Sequence, residues 1–296
     1  MGLLIERVEA CNSQEFIGYS QQYGAEHDDS YLPPPDFEPS PEQPSFLLVR
    51  DGEPLGAVGL LRWERFLSLH KARFSIFHSR LDSPEAYSML FKAIRPHLKG
   101  LKSAYLFIPE DRKRVASILE NLGFEIERYS FTLIDHRPRS RPLRLPPGAE
   151  IIALHAGDTQ HMQTLADCLN ENFQHLAGHT QSTVETISDW YQDELYLPGG
   201  VRMLFVDTKA AGTLGVTRDS SDPSTAEISA LSVSPGLRRR GWGRFLLRDG
   251  VNFAVECGFK RVSLSVNAEN RKAIKLYRSE GFDLDQTFVC YRYRCK

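Results

Sequence analysis

The chain has 296 residues, of which 36 are Lys or Arg and 38 are Asp or Glu, and its formal net charge is −2. This length holds one large domain or two ordinary ones, and the near balance of charge gives no reason to expect nucleic acid as a partner. No apolar run is long enough to span a membrane, and the 5 cysteines lack metal-ligand spacing, so we expect a cytoplasmic protein.

The first half alternates short strand and helix patterns. A proline-rich stretch at 32–44 is typical of an extended loop, and Asp51-Gly52 predicts the turn of a hairpin over 46–62. Apolar periodicity predicts further strands at 3–8, 72–78, 104–108 and 129–134, and helices at 13–23, 84–98 and 112–122.

The second half repeats the first. Residues 137–148, rich in proline and arginine, predict an extended linker between a first domain at 1–136 and a second at 149–296. Beyond it lie predicted strands at 151–155, 261–266 and 287–294, helices at 158–173, 183–191 and 270–280, and a hairpin at 201–216. A Gly-Phe pair follows a helix in both halves, at 123–124 and 281–282. A repeat of domain length predicts an α/β chain built from two copies of one fold.

A strand, a loop rich in arginine and glycine, and the start of a helix occupy residues 226–247. Pro235-Gly236 ends the strand, and helical periodicity begins at about Gly241. Glycines at 241 and 243 let an anion approach the first N–H groups of a helix, whose dipole also favours negative charge. The segment 238–243 therefore predicts a diphosphate cradle. The alternative is an ordinary strand-to-helix turn with surface arginines.

The pattern Val233-Ser234-Pro235 followed by Arg238-x-x-Gly241-x-Gly243 resembles the acyl-CoA motif of the GNAT superfamily of N-acetyltransferases. The resemblance implies that acetyl-CoA is the cosubstrate and that each copy is a mixed, mostly antiparallel sheet flanked by helices. It implies that the strand offers backbone groups to the pantetheine arm, at Leu231, Ser232 and Val233. It also implies that the loop holds the diphosphate, at Arg238, Arg239, Arg240, Gly241, Trp242, Gly243 and Arg244.

A second motif lies at 267–282 and resembles the superfamily's Asn-x-x-Ala-x-x-Leu-Tyr-x-x-x-Gly-Phe signature. The resemblance implies that Asn270 and Ala273 belong to the coenzyme site and that Tyr277 lies beside the coenzyme sulfur. Considered alone, Asn270 also fits an N-cap and Tyr277 a core aromatic. Both motifs, in this order, predict an N-acetyltransferase with its active site in the second domain.

The first copy differs at the positions that carry chemistry. When the two Gly-Phe pairs are aligned, Leu119 falls on Tyr277 and Arg112 falls on Asn270, and residues 78–88 contain no glycine. The first copy is therefore predicted to be a degenerate fold without a coenzyme site. This organisation resembles tandem members of the superfamily such as mycothiol synthase. The repeat can act as a pseudo-dimer, and the oligomeric state stays open.

Acetyl transfer from a thioester to an amine needs a base, stabilisation of the carbonyl oxygen and a proton for the leaving thiolate. Glu227 lies on the strand before the loop, where family members often place a glutamate as base; a partly exposed carboxylate without that role is the alternative. Backbone N–H groups near 231–233 can polarise the carbonyl. Tyr277 is the expected donor to sulfur, since tyrosine has a reference pKa of about 10 and a thiol about 8.5.

The acceptor is predicted only as a primary amine, on a small molecule or a peptide. In this fold its site lies between the helices within 158–192 and the hairpin at 201–216. Candidate wall residues are Trp190, Tyr191, His175 and His179. A coenzyme A-binding sensor without turnover and a protein-interaction module built on the first half are the alternative functions.

Histidines cluster around the predicted helix at 158–173. His175 and His179 have a spacing that can bind zinc, and His155 and His161 lie nearby. No acidic residue intervenes in the metalloprotease manner and no clear third ligand follows. The sequence therefore predicts no metal.

Overall fold

The computed structural model describes residues 2–174 and 181–295. They form two compact units. The first contains the residues up to Ser130 and the C-terminal residues from Gln286 onward, and the second is Phe131–Asp285. This division differs from the predicted one at 136 and 149. The last strand of the chain lies in the first unit, and residues 137–148 lie in the second.

The secondary structure follows the predicted order. The strands are β1 (Leu4–Arg7), β2 (Ser45–Arg50), β3 (Glu53–Leu61), β4 (Lys71–Ser79), β5 (Ser103–Pro109), β6 (Phe124–Asp135), β7 (Ala149–Ala153), β8 (Tyr196–Val206), β9 (Lys209–Arg218), β10 (Thr225–Val233), β11 (Arg261–Asn267) and β12 (Asp283–Arg294). The helices are α1 (Ser13–Tyr23), α2 (Glu64–Leu67), α3 (Pro84–Ile94), α4 (Lys113–Asn121), α5 (Thr159–Phe173), α6 (Val184–Trp190), α7 (Trp242–Glu256) and α8 (Arg271–Ser279). None of the described helices is long and apolar enough to cross a membrane.

Local side-chain chemistry sets several of these boundaries. Ser83 caps α3 by accepting the N–H of Ala86 at 3.2 Å, and a proline follows the cap, where its missing N–H costs nothing. Thr183 and Thr186 form a reciprocal capping box at α6. The β2–β3 hairpin turns at Asp51-Gly52, where both residues have positive φ, as a two-residue hairpin turn requires.

In the first unit the sheet order is β1-β2-β3-β4-β5-β12. Neighbouring strands are antiparallel except β4 and β5, whose parallel pairing covers only Lys71–Arg73 of β4. The C-terminal strand β12 runs along β5 and completes this sheet. Helices α3 and α4 pack on one face of it and bury Tyr87, Leu90 and Leu119 completely.

In the second unit the sheet order is β6-β11-β10-β9-β8-β7, with β10 and β11 parallel and β7 to β10 antiparallel. Met203 of β8 joins a core cluster with α5 and α6, whereas the next residue, Leu204, joins the cluster of α7. Because alternate strand residues point to opposite faces, helices cover both faces of the sheet. Each unit thus has the mixed, mostly antiparallel sheet flanked by helices that the sequence predicts.

Candidate active site

A gap opens between β10 and β11. Their parallel pairing ends at Ile228 opposite Leu264, although β10 continues to Val233 and β11 to Asn267. Within the described residues, the last part of β10 therefore has no partner strand on this side. Backbone N–H and C=O groups that lack a ladder partner are available to a ligand. The gap lies along Leu231, Ser232 and Val233, which the sequence predicts as the pantetheine contacts.

A β-bulge lies in β10 beside this gap. Ser229 pairs with Gly215 and Ser232 with Thr213, so three steps along β10 match two along β9. Within this stretch Ala230 has a positive φ of 51°, which is uncommon for a residue with a side chain. Its carbonyl oxygen accepts a hydrogen bond from Thr213 Oγ1 at 2.6 Å. Bulges re-aim backbone groups and are common beside active sites.

A buried polar network supports the bulge, and sequence analysis missed two of its members. Asn172 of α5 donates from Nδ2 to Ser232 Oγ at 2.8 Å, and Ser232 Oγ lies 2.7 Å from Thr213 Oγ1. All three residues are buried. Asn172 Oδ1 has no partner among the described residues. The available signal was a polar residue at a core-facing helical position, because such residues are buried only with hydrogen-bond partners.

The loop after β10 presents consecutive unpaired amides. The N–H groups of residues 239–243 donate no hydrogen bond to any described residue. Arg239 and Gly241 have positive φ of 65° and 90°. Interspersed left-handed residues turn successive N–H groups toward one point, an arrangement that binds anions. Helix α7 begins at Trp242, so its dipole adds to the attraction, and the loop is chemically suited to a diphosphate.

The two glycines of this loop serve different purposes. Gly241 has a φ of 90°, which strains any residue with a Cβ. At Gly243 an added Cβ would lie 3.6 Å from Leu276 Cδ2 and 3.8 Å from Val233 Cγ2, both ordinary van der Waals distances. The fold therefore tolerates a methyl group at 243. Glycine at that position favours close approach of a ligand rather than folding.

Most basic side chains near the loop are engaged within the protein. Arg238 donates from Nε to the carbonyl oxygen of Val233 at 2.9 Å and from Nη2 to that of Asn172 at 3.1 Å. It therefore secures the end of β10 to α5. Arg239 and Arg240 are exposed and form no ion pair with any described residue. They are the cations that this loop can offer to a bound anion.

Both the amide and the guanidinium of Arg244 are engaged within the protein. Its N–H donates to the carbonyl oxygen of Gly241 at 2.9 Å, so this amide is already used in the first turn of α7. Its guanidinium Nε lies 2.8 Å from Glu280 Oε1, and Arg248 contacts the same carboxylate. Through this carboxylate the two arginines join α7 to the end of α8.

Tyr277 lies on α8 and is buried, with 7% of its surface exposed. Burial raises the pKa of Tyr277 to about 12, so it keeps its proton at neutral pH. The helix ends in a Schellman motif, in which Phe282 N–H donates to the Tyr277 carbonyl at 3.1 Å and Gly281 adopts a φ of 100°. The Phe282 ring lies 6.2 Å from the Tyr277 ring. The backbone that carries this hydroxyl is therefore fixed.

Asn270 caps α8. Its Oδ1 accepts the N–H of Ala273 at 3.2 Å, which satisfies one of the free donors at the helix start. The side chain is exposed, and its Nδ2 takes no part in the cap. The cap and the predicted coenzyme contact are compatible, because they use different atoms of the amide.

A pocket of about 190 Å³ lies beside the bulge, and its lining includes Trp190, Tyr196, Thr217 and Ser229. Glu227 precedes Ser229 by two residues and pairs with Thr217 across the β9–β10 ladder. Because strand side chains alternate, Glu227 shares the face of the sheet on which Ser229 and Thr217 line the pocket. The predicted base thus lies at the edge of a cavity that can hold an acceptor.

The other residues predicted to line the acceptor site, and the histidines considered for a metal, lie in different places. Tyr191 is buried and its ring centroid lies 5.1 Å from that of Tyr196, a lining residue, but Tyr191 does not itself line the pocket. His175 and His179 lie outside the described residues. His161 pairs with Asp158, Nδ1 to Oδ2 at 2.5 Å. Among residues 2–174 and 181–295, no group of three His, Cys, Asp or Glu side chains is placed to hold a metal ion.

The first unit carries a cluster of polar and ionisable side chains beside the start of α3 and the N-cap of α4. Leu90 of α3 packs near Gly56, and Leu246 of α7 packs near Gly212, so these two leucines are equivalent positions of the two copies. Tyr87 and Gly243 each lie three residues before their leucine and are therefore equivalent as well. The Tyr87 hydroxyl lies 3.4 Å from Nε2 of buried His27. At the cap of α4, Arg112 Nη2 lies 2.9 Å from Glu26 Oε2, and that carboxylate lies 3.6 Å from His78 Nε2. We name His27, His78, Tyr87, Glu26 and Arg112 the first-unit plug.

Comparison with known proteins agrees with this geometry. The family model described as Acetyltransferase (GNAT) family matches residues 162–282. A mycothiol acetyltransferase of Rhodococcus erythropolis is 29% identical over 122 residues, which cover 38% of this chain and 39% of that protein. A mycothiol acetyltransferase of Acidimicrobium ferrooxidans is 24% identical over 215 residues, covering 69% and 65% of the two chains. The aligned regions thus span less than two thirds of these curated relatives.

A solved structure resembles the whole chain. It is described as a tandem GNAT protein from the clavulanic acid biosynthesis pathway, and it aligns with a TM-score of 0.73 at 14% identity over 99% of this chain and 98% of its own. At that identity the likeness shows the fold alone. This likeness agrees with the internal repeat. The family match at 162–282 lies in the second half of the chain and includes both motifs.

Proposed function

We propose that this protein is an acetyl-CoA-dependent N-acetyltransferase whose second unit transfers acetyl directly to a primary amine, because residues 162–282 match the family model described as Acetyltransferase (GNAT) family. The observation that carries the proposal is the loop of unpaired amides at 239–243, which adjoins the β10–β11 gap. The five cysteines are free thiols, which supports the reducing cytoplasm expected from the sequence.

The residues present fit the coenzyme. The amides of 239–243 bind the diphosphate, with Arg239 and Arg240 adding positive charge and Gly243 giving room for close approach. Backbone groups of β10 at Leu231–Val233 that lack a ladder partner hold the pantetheine arm as a strand would, apart from the Val233 carbonyl, which already accepts from Arg238. Asn270 donates from its free Nδ2. When bound, acetyl-CoA supplies the activated acetyl group.

The protein's own groups then serve three needs of the reaction. Glu227 takes a proton from the acceptor amine, directly or through water. Backbone N–H groups at the bulge, around Ala230 to Ser232, stabilise the negative charge that develops on the carbonyl oxygen. Tyr277 donates a hydrogen bond to the departing sulfur.

The raised pKa of Tyr277 defines its role. Burial raises the pKa of Tyr277 to about 12, well above the reference value of about 8.5 for a thiol, so a departing thiolate is the weaker base. Full proton transfer is therefore unfavourable at equilibrium. Tyr277 instead acts as a hydrogen-bond donor to developing negative charge, and the thiolate leaves with or without a proton from solvent.

The acceptor is best described as a small amine. The pocket beside Glu227 has a volume of about 190 Å³, which is the share of liquid volume taken by roughly six waters at ~30 Å³ each. Its aromatic walls, Trp190 and Tyr196, suit the carbon skeleton or the cationic form of an amine. The names of the two curated relatives, mycothiol acetyltransferases, support a small-molecule acceptor.

Calorimetry with acetyl-CoA tests the coenzyme site. The wild-type chain should bind one equivalent, because Leu119 and Arg112 of the first copy stand where the second has Tyr277 and Asn270, and residues 78–88 contain no glycine. Gly243→Ala should fold as the wild type does and bind more weakly, and Gly243→Glu should abolish binding by adding bulk and negative charge. Unchanged affinity in a folded Gly243→Glu variant would refute the loop assignment.

Turnover is tested separately, by release of free thiol from acetyl-CoA against a panel of amino sugars, polyamines, amino acids and aminoglycosides. Acetylation of at least one amine, lost in Gly243→Glu, is the expected result. Tight coenzyme binding with no turnover of any amine would instead support the coenzyme A sensor.

A further inference from the structure

Glu280, at the end of α8, is contacted by three arginines. Its side chain is 4% exposed. Oε2 accepts hydrogen bonds from Arg141 Nη1 at 2.6 Å and from Arg248 Nε at 2.8 Å, and Oε1 lies 2.8 Å from Arg244 Nε. Burial alone would raise the pKa of Glu280, but the hydrogen bond from Arg248 and the charges of the arginines hold it below its ordinary value. Glu280 is therefore a buried carboxylate that stays ionised through these partners.

Glu280 belongs to the same turn as Tyr277. It is the C-cap residue of α8, and its N–H donates to the Tyr277 carbonyl at 3.0 Å. The N–H of Phe282 donates to that carbonyl as well, at 3.1 Å. A displacement of Glu280 would therefore change the backbone position of Tyr277.

The arginines come from two other segments. Arg244 and Arg248 lie in the first two turns of α7, directly after the loop at 239–243. Arg141 belongs to the segment predicted as a linker. Its N–H donates to Asn252 Oδ1 at 2.7 Å, and its carbonyl oxygen accepts from Asn252 Nδ2 at 2.8 Å. Residue 141 is thus bonded both to α7 and to the end of α8.

Apart from these arginines, of which Arg244 also donates from Nη2 to Ser279 Oγ at 3.2 Å, the helices approach each other through apolar atoms near Gly243. A Cβ added at Gly243 would lie 3.6 Å from Leu276 Cδ2, and Leu276 directly precedes Tyr277. Apolar contacts are not directional and allow small shifts. Charge-assisted hydrogen bonds fix both distance and angle, and a catalytic group displaced by about 1 Å can lose about 10²-fold in rate.

We infer that Glu280 and Arg141 are positioning residues for acetyl transfer, because they hold the Tyr277 turn of α8 in register with the coenzyme loop on α7. The inference rests on the proposed function, since it requires that Tyr277 act at the coenzyme sulfur. Residues 137–148 are then an integral part of the catalytic unit rather than a passive linker.

A double-mutant cycle on the full-length chain tests this. Glu280→Gln keeps the shape of the side chain but removes the charge. We expect kcat to fall about 10-fold with the KM for acetyl-CoA within about 3-fold, because ground-state binding uses the loop amides. In a Tyr277→Phe background the same change should alter kcat less than about 2-fold, because no hydroxyl remains to be positioned. Arg141→Ala should behave like Glu280→Gln, and Arg141→Lys should recover part of the loss.

Arg144→Ala is the matched control, since Arg144 is exposed in the same segment. It should leave kcat unchanged. Equal losses from Glu280→Gln in the wild-type and Tyr277→Phe backgrounds would overturn the inference, as would a rise in KM at constant kcat. Both results would indicate a purely structural role.

Amide hydrogen exchange gives a readout that needs no turnover. In Glu280→Gln, exchange at residues 280–282 should accelerate at least about 10-fold, while amides in the β10–β11 ladder keep their protection. Unchanged exchange at 280–282 would show that the arginines do not hold this turn. If no amine is acetylated by the wild-type chain, the proposed function fails. The inferred role in catalysis then fails with it, even where exchange shows that the arginines hold the turn at 280–282.

Discussion

The first-unit plug makes a prediction about acid stability. His27 is 4% exposed, and its ring centroid lies 4.8 Å from that of His78. Burial lowers the pKa of His27 well below 6.5, and the charges of His78 and Arg112 lower it further. Burial also lowers the pKa of His78, against the opposing effect of Glu26 and Asp82. Tyr19 and Tyr87, the nearest hydroxyls, keep their protons because burial raises their pKa values.

The sign of the effect follows from where protons bind. A histidine whose pKa is lowered in the folded state takes up its proton more readily when the chain is unfolded. It therefore stabilises the fold above pH 6.5, and this stability is lost as the pH falls below 6.5 toward the folded pKa. For one such histidine the loss between pH 7.5 and 5.5 is at most about 1.4 kcal/mol, and for two about 2.7 kcal/mol. Because Glu26 partly compensates His78, we expect a value between these limits.

Urea unfolding at the two pH values measures this loss. The chain has three tryptophans, of which Trp63 lies in the first unit and Trp190 and Trp242 lie in the second. In a variant with Trp190→Phe and Trp242→Phe, tryptophan fluorescence therefore reports on the first unit. His27→Gln should reduce the pH dependence of the free energy of unfolding by about 1 kcal/mol or more. His70→Asn, an exposed histidine with positive φ that asparagine tolerates, should leave it unchanged. A wild-type free energy that is equal at pH 7.5 and 5.5 would refute the reasoning.

Two further predictions concern the proposed chemistry. Tyr277→Phe should keep acetyl-CoA affinity and lower kcat by roughly 10²-fold, because a hydrogen-bond donor to developing negative charge is lost. A fall of only a few-fold in thiol-release assays would show that Tyr277 serves packing alone. With a pKa of about 12, Tyr277 should also produce no alkaline limb in the pH–rate profile below pH 10. Glu227→Gln should remove the acidic limb of that profile, and an unaltered profile would assign the base to water.

The sequence predicts most of the helices and strands because local residue patterns specify them. Glycine-terminated helices, alternating strands and the Asp51-Gly52 turn depend on neighbouring residues, and the structure has them close to the predicted places. The loop at 239–243 was also predictable, since the glycine spacing reflects a backbone requirement. The short helix α2 was missed because four residues carry too little periodicity to be recognised.

What the sequence does not predict depends on residues far apart in the chain. Asn172 and Ser232 meet in one network although they are separated by 60 residues, and Arg141 and Glu280 by 139. Basic residues after a glycine-rich loop suggest a phosphate site, and only the structure shows Arg244 and Arg248 paired to Glu280. The pairing of β12 with β5 is also not predictable, because the alternation of apolar residues in a strand does not show which strand lies beside it.

The position of the domain boundary leads to the last prediction. A fragment that starts at 149, as the sequence suggests, removes Leu133, which is fully buried in the core of the second unit, and Arg141, which bonds to Asn252 and Glu280. It also leaves the buried Glu280 carboxylate with two arginine partners instead of three. Residues 131–285 keep all of these interactions. We therefore expect 149–296 to lack a cooperative thermal transition and to bind no acetyl-CoA, and 131–285 to retain more of both properties. A fragment of 149–296 that unfolds cooperatively and binds acetyl-CoA as the full chain does would show that neither the β6 strand nor the Arg141 segment is needed.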